Sequence, residues 1–161
     1  MEEYSKDELQ GIDRNNRPYR VLVIDDEPGV RKLVTQILRS ASYEVCGEAE
    51  DGIQGTAKYK ILNPDIVTLD VKMPLKDGYE TLKDILEHDP NAIVVMLTFE
   101  AAKSTVFPIL QAGAKDYVLK PIKRDKLLQK IRAVRRDTTL STSNFKINIA
   151  QEKETQEKDD E

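Results

Sequence analysis

With 161 residues, the chain suits one domain of ordinary size. Its formal charge of −4 is concentrated in residues 151–161, which hold six acidic residues and two lysines, so the remainder is balanced and offers no basic stripe for nucleic acid. No apolar run approaches the roughly 18–20 residues a membrane-spanning helix needs. The acidic start MEEYSKDELQ lacks the order of a secretory signal, and the one cysteine, Cys46, makes no internal disulfide; a cytoplasmic protein without membrane attachment is expected.

Residues 1–18 are polar and aperiodic and read as a mobile arm. Five apolar runs follow, each leading into a helical pattern. The first, YRVLVID at residues 19–25, is apolar on both faces, as a central parallel strand should be. After Pro28, the residues Val30, Leu33, Val34, Ile37 and Leu38 mark one face of a helix. The second run, residues 43–49, is a weaker strand in which Cys46 reads as a small apolar residue. It passes through Asp51-Gly52 into a short helix that Asn63-Pro64 ends near Leu62. The third run, IVTLD at 66–70, precedes the loop VKMPLKDG and a helix carrying Leu82, Ile85 and Leu86. The fourth, AIVVMLT at 92–98, precedes a helix over about 103–111. The fifth, DYVLK at 116–120, precedes a helix over about 124–136 with Leu127, Leu128, Ile131 and Val134 inward.

Strands alternating with helices mean parallel βαβ units with right-handed crossovers. Five of them predict an α/β fold, a doubly wound five-stranded parallel sheet of (βα)5 type. Residues 138–161 form a C-terminal extension too short for an output domain. Its Phe145, Ile147 and Ile149 alternate as an edge strand or docking peptide would, and its acidic end is expected to stay disordered. There is no internal repeat.

Parallel topology alone places Asp25, Asp26, Asp70, Thr98 and Lys120 on one rim, because each ends or follows a predicted strand. Three neighbouring carboxylates repel unless a cation is near. Hard oxygen donors suit Mg²⁺, with Mn²⁺ as an acceptable substitute. A cation, a lysine and a hydroxyl together form a setting for an added phosphoryl group on a carboxylate nucleophile. Bland readings stand beside this one: paired aspartates also cap helices, Thr98 also simply suits a strand, and His88 reads as a surface residue.

The strings VLVIDDE, TLDVKMPLKDG, VMLT and DYVLKP resemble the receiver domain of two-component response regulators, over roughly residues 19–136. The resemblance implies a flavodoxin-like sheet of strand order 2-1-3-4-5. It implies Asp70 as phosphoacceptor, with Mg²⁺ held by Asp25, Asp26, Asp70 and the backbone carbonyl of Lys72. It implies Thr98 and Lys120 as phosphoryl-binding groups, Tyr117 as an aromatic switch, and a cis peptide before Pro121. Asp77-Gly78 would shape the end of the acceptor loop, Gly78 through a conformation other residues avoid. The residue after the switch threonine is commonly small in this family; here it is Phe99. With Lys72 and Glu100, whose charges can pair across the mouth, Phe99 is read as a gate that lengthens the phosphorylated lifetime.

The function implied is a stand-alone regulator, not an enzyme acting on outside substrates. It would take its phosphoryl group from a histidine kinase and signal by binding a target on the face of the fourth helix, fifth strand and fifth helix. The flagellar motor switch, in chemotaxis, is the leading target, and a phosphatase is a further partner. The alternative is a phosphorelay intermediate that serves a histidine phosphotransferase. A phosphatase of the haloacid dehalogenase type would need an acid where Lys72 stands. A flavodoxin-like cofactor site would not place acids in DDEPG, and a transcription factor would need a DNA-binding module.

Overall fold

The computed structural model describes residues 11–135. Five strands and five helices alternate: β1 Arg20–Ile24, α1 Pro28–Ser40, β2 Glu44–Ala49, α2 Gly52–Leu62, β3 Ile66–Asp70, α3 Gly78–His88, β4 Val94–Thr98, α4 Lys103–Gln111, β5 Asp116–Leu119 and α5 Arg124–Val134. All neighbours pair in parallel, in the order β2-β1-β3-β4-β5. The direction of winding therefore reverses between β1 and β3, the place where open α/β sheets bind ligands.

The period of two along each central strand divides the core. Val21 and Val23 of β1, with Val95 and Leu97 of β4, pack beneath Val34, Leu38, Leu127, Leu128 and Ile131 of α1 and α5. Leu22, Ile24, Val94 and Met96 point to the other face and meet Tyr59, Leu82, Ile85 and Ile109 of α2, α3 and α4. Central strands buried on both faces explain the continuous apolar runs.

Local signals set the helix ends. Asp51 and Asp77 are N-caps, accepting from the amides of Gln54 at 2.8 Å and Glu80 at 2.9 Å. Asn63 ends α2 in the left-handed conformation, and Pro64 follows. Between Val21 and Leu22 the register with β2 shifts, leaving Cys46 as the extra residue of a bulge. Burial pushes the Cys46 thiol up, away from the reactive thiolate.

Two expectations are corrected here. Leu33 of α1 is exposed, while Thr35 is buried with its hydroxyl 3.3 Å from Glu48 Oε1. The buried stripe centres on Val34, Ile37 and Leu38, and Leu33 is turned about 100° from Val34. Residues 11–18, placed in the mobile arm, form a hydrogen-bonded loop. Gly11 N–H donates to Ala41 O at 2.6 Å and Tyr19 N–H to Gly11 O at 2.7 Å, while Asp13 Oδ1 accepts from the amides of Asn15 and Arg17. Polar side chains here satisfy backbone groups, which polarity alone does not reveal. The rest of the arm, the C-terminal extension and its 145–149 alternation lie outside the described residues.

Candidate functional site at the carboxyl ends of the strands

The ladder brings the rim together. Ile24 pairs with Leu69, Asp70 with Leu97, and Thr98 with Leu119, so the residues ending β1, β3, β4 and β5 lie side by side. Three amides beyond or between the strands continue the bonding: Asp25 N–H to Ala49 O at 3.0 Å, Val71 N–H to Leu97 O at 3.1 Å, and Lys120 N–H to Thr98 O at 2.8 Å.

Lys120, Asp25 and Asp70 form a buried triad. Lys120 Nζ is 3.2 Å from Asp25 Oδ2 and 3.2 Å from Asp70 Oδ1. Asp25 Oδ1 accepts from the Glu27 amide at 2.9 Å, and Arg31 Nη1 donates to the Asp25 carbonyl at 2.6 Å. The acidic pair therefore does not cap α1, whose N-cap is Glu27 with no side-chain bond. Asp26 is less buried and its carboxylate shares the cluster with Asp70. Burial first, then the neighbouring Asp26 carboxyl and the charge of Asp25, push Asp70 up to about 7, against the opposing pull of Lys120. Burial alone would lower Lys120; the charges of Asp25 and Asp70 outweigh it and hold the ammonium above its usual range.

The donor set fits a hard divalent cation. One carboxylate oxygen each of Asp25, Asp26 and Asp70 lies within 4.8 Å of the others. Asp25 Oδ2 is fully buried and accepts no hydrogen bond; its facing charge is Lys120. Such an atom in a cluster of like charge has capacity for a further positive partner.

The other predicted residues fall around this centre. Thr98 is buried, and its Oγ1 accepts from the Glu100 amide at 3.1 Å. Tyr117 is half-buried on β5, with Lys130 Nζ 5.5 Å from its ring centroid. The Lys120–Pro121 peptide is cis. Phe99 is exposed, its ring centroid 5.3 Å from Lys120 Nζ. Lys72 Nζ meets Glu100 Oε1 at 2.8 Å across the mouth, which raises the lysine and lowers the carboxyl from their ordinary values.

Sequence reasoning missed four contacts. Thr105 of α4 donates to Glu100 Oε2 at 2.7 Å, joining the Lys72–Glu100 pair to the first turn of that helix. Arg31 holds the Asp25 backbone, and Lys76 of the loop after β3 bonds Thr56 at 3.1 Å and pairs with Asp84. None leaves a sequence signal beyond an ordinary charged or hydroxyl residue.

The expectation for Gly78 is corrected as well. Its φ is not positive; the left-handed residue of the loop after β3 is Leu75, at φ 67°. Gly78 is needed for space, since a Cβ there would overlap the Asp70 carbonyl oxygen and press on Val71. Gly78→Ala should cost about 1–3 kcal/mol in urea unfolding, by overpacking against backbone. An unchanged midpoint would show that the loop gives way freely.

The fold and rim define a doubly wound α/β protein with an acidic, lysine-bridged site at its topological switch point. The Response regulator receiver domain family matches residues 21–132, and the chain belongs to it. The chemotaxis protein CheY of Treponema pallidum is 46% identical over 122 residues, 74% of this chain and 85% of that protein. CheY of Bacillus subtilis is 40% identical over 113 residues, covering 70% and 94%. Among solved structures, the CheX–CheY–BeF3–Mg²⁺ complex from Borrelia burgdorferi contains a chain similar to this one at TM-score 0.76 and 38% identity. That match covers 79% of this chain and 97% of the other. No helix among the described residues is long and apolar enough to cross a membrane.

Proposed function

We propose that Asp70 accepts a phosphoryl group from the phosphohistidine of a histidine kinase, and that the modified domain signals by binding a protein target in chemotaxis control. The observation carrying this reading is the Asp70 carboxylate held 3.2 Å from a buried lysine within a three-carboxylate cluster. In the transfer, an Asp70 carboxylate oxygen attacks phosphorus and forms the acyl phosphate bond. The P–N bond breaks, and its electron pair returns to the donor imidazole. Lys120 pairs with the arriving phosphoryl oxygens, and the Thr98 hydroxyl turns its proton from the Glu100 carbonyl, 3.5 Å away, to donate to them. Asp25, Asp26, Asp70 and the Lys72 carbonyl would hold Mg²⁺, which supplies charge neutralisation when bound. The domain acts only on its own acyl phosphate, so its output is association.

The output face proposed is that of α4, β5 and α5, linked to the site through Thr98 and Tyr117. The chemotaxis proteins among its relatives, one solved with CheX, support a role among such partners.

Incubation with Mg²⁺ and acetyl phosphate, followed by intact mass, tests the reading. One phosphoryl adduct that requires Mg²⁺ and is lost in Asp70→Asn is the expected result. An adduct persisting in that variant would place the acceptor elsewhere.

The mouth tunes the rate. Phe99 lies over Lys120, and the Lys72–Glu100 pair spans the acceptor loop and the end of β4. Phe99→Ala should speed both adduct formation and decay by about three- to tenfold, under roughly 1.4 kcal/mol of barrier. Equal rates in both proteins would remove Phe99 from any gating role.

A further inference from the structure

The sheet edge at β5 carries a surface whose chemistry matches part of this same chain. Phe107 and Leu110 of α4 and Leu119 of β5 are 59%, 38% and 43% exposed. At the two ends of α5, arginines turn away from this edge: Arg124 Nε donates to Ser40 Oγ at 3.3 Å, and the C-cap Arg135 Nη1 to the Tyr43 hydroxyl at 3.0 Å. Lys130 turns toward it and reaches Asp116 of β5 at 3.1 Å. Lys126 lies four residues before Lys130 and Lys123 three before that, so the three share one stripe. Lys123 and Lys126 are exposed. Apolar side chains and a lysine row thus occupy adjoining elements.

We propose that residues 145–161 of this chain fold back onto the face formed by α4, β5 and α5. Phe145, Ile147 and Ile149 alternate with Lys146 and Asn148, which places three apolar side chains on one side of an extended segment. Residues 151–161 follow with a charge of −4, opposite to the lysine row. Residues 1–10 are also acidic but have no such alternation. The connection is long enough. The 11 residues from Val134 to Phe145 span up to about 36 Å extended, whereas α5 is about 16 Å long. Seated there, the segment competes with any partner for the same face. That consequence rests on the proposed function; the docking itself does not.

A spin label at Ala150→Cys in the full chain, with Cys46→Ala, tests the docking without a phosphodonor. Several-fold loss of amide peak intensity along α4 and β5 is expected. The loss should recede in Lys126→Glu/Lys130→Glu and in about 0.5 M salt, where the screening length falls to roughly 4 Å. Broadening confined to the pole around Gly11, Tyr43 and Arg135, where α5 ends, would overturn the proposal. So would broadening of isotope-labelled chains by separate spin-labelled ones, since the occupant would then be a second copy.

Discussion

Without divalent cation, Asp70→Asn should be more stable than the parent at about pH 8, by on the order of 4 kcal/mol. Asp70 carries its proton up to about 7 in the folded state, against 3.8 for an ordinary aspartate. A folded-state pKa above the unfolded one means the native protein binds the extra proton. The contribution of this group is fully present below about pH 3.8 and declines as pH rises to about 7, after which it is lost. Asparagine keeps the shape without the charge, so the variant escapes the decline. Urea unfolding in chelator at several pH values, parent against variant, gives the comparison. Saturating Mg²⁺ should narrow the gap, because the cation requires the ionised carboxylate. Its affinity should fall about tenfold per pH unit below the Asp70 pKa. Parallel stability curves for the two proteins in chelator would mean that Asp70 is not strained by its neighbours.

Lys120→Met should have the second large effect. It retains most of the stem but deletes the charge that faces Asp25 Oδ2 and Asp70 Oδ1 at 3.2 Å. Breaking a buried ion pair from one side costs about 3–5 kcal/mol, since the remaining charge is left uncompensated. The loss should be greatest above about pH 7 and shrink at lower pH as Asp70 takes up its proton. Mg²⁺ should recover much of the stability. It should not restore the rate of adduct formation, which is expected to drop on the order of a hundredfold when a donor to the transferring group is removed. Recovery of both stability and rate would reduce Lys120 to a structural counter-ion. Loss of neither would remove it from the site.

Much of this centre is legible in the sequence. Asp25, Asp26, Asp70, Thr98 and Lys120 each end or follow an apolar run, and parallel pairing leaves such residues no other place than one rim. The bounds of β3 and α4 follow the sequence reading, and Asp51 and Asn63 bound α2 near where it placed that helix. Leu33 failed because an apolar stripe fixes a face only to within one residue's rotation. Gly78 failed because its requirement is steric, set by the carbonyl of Asp70, which lies eight positions earlier in the chain.

The alternation of strands and helices, the parallel sheet and the set of groups at its carboxyl edge can all be read from the chain. These follow from periodicity and from turn and cap chemistry, which act over a few residues. Three-dimensional packing, by contrast, makes Lys120 bridge Asp25 and Asp70, leaves Asp25 Oδ2 without a hydrogen bond, and adds Thr105 to the expected Lys72–Glu100 pair. Most of those outcomes depend on distances between side chains that are 28 or more residues apart, and on how far burial shifts a charge. Close packing of the whole sheet sets both.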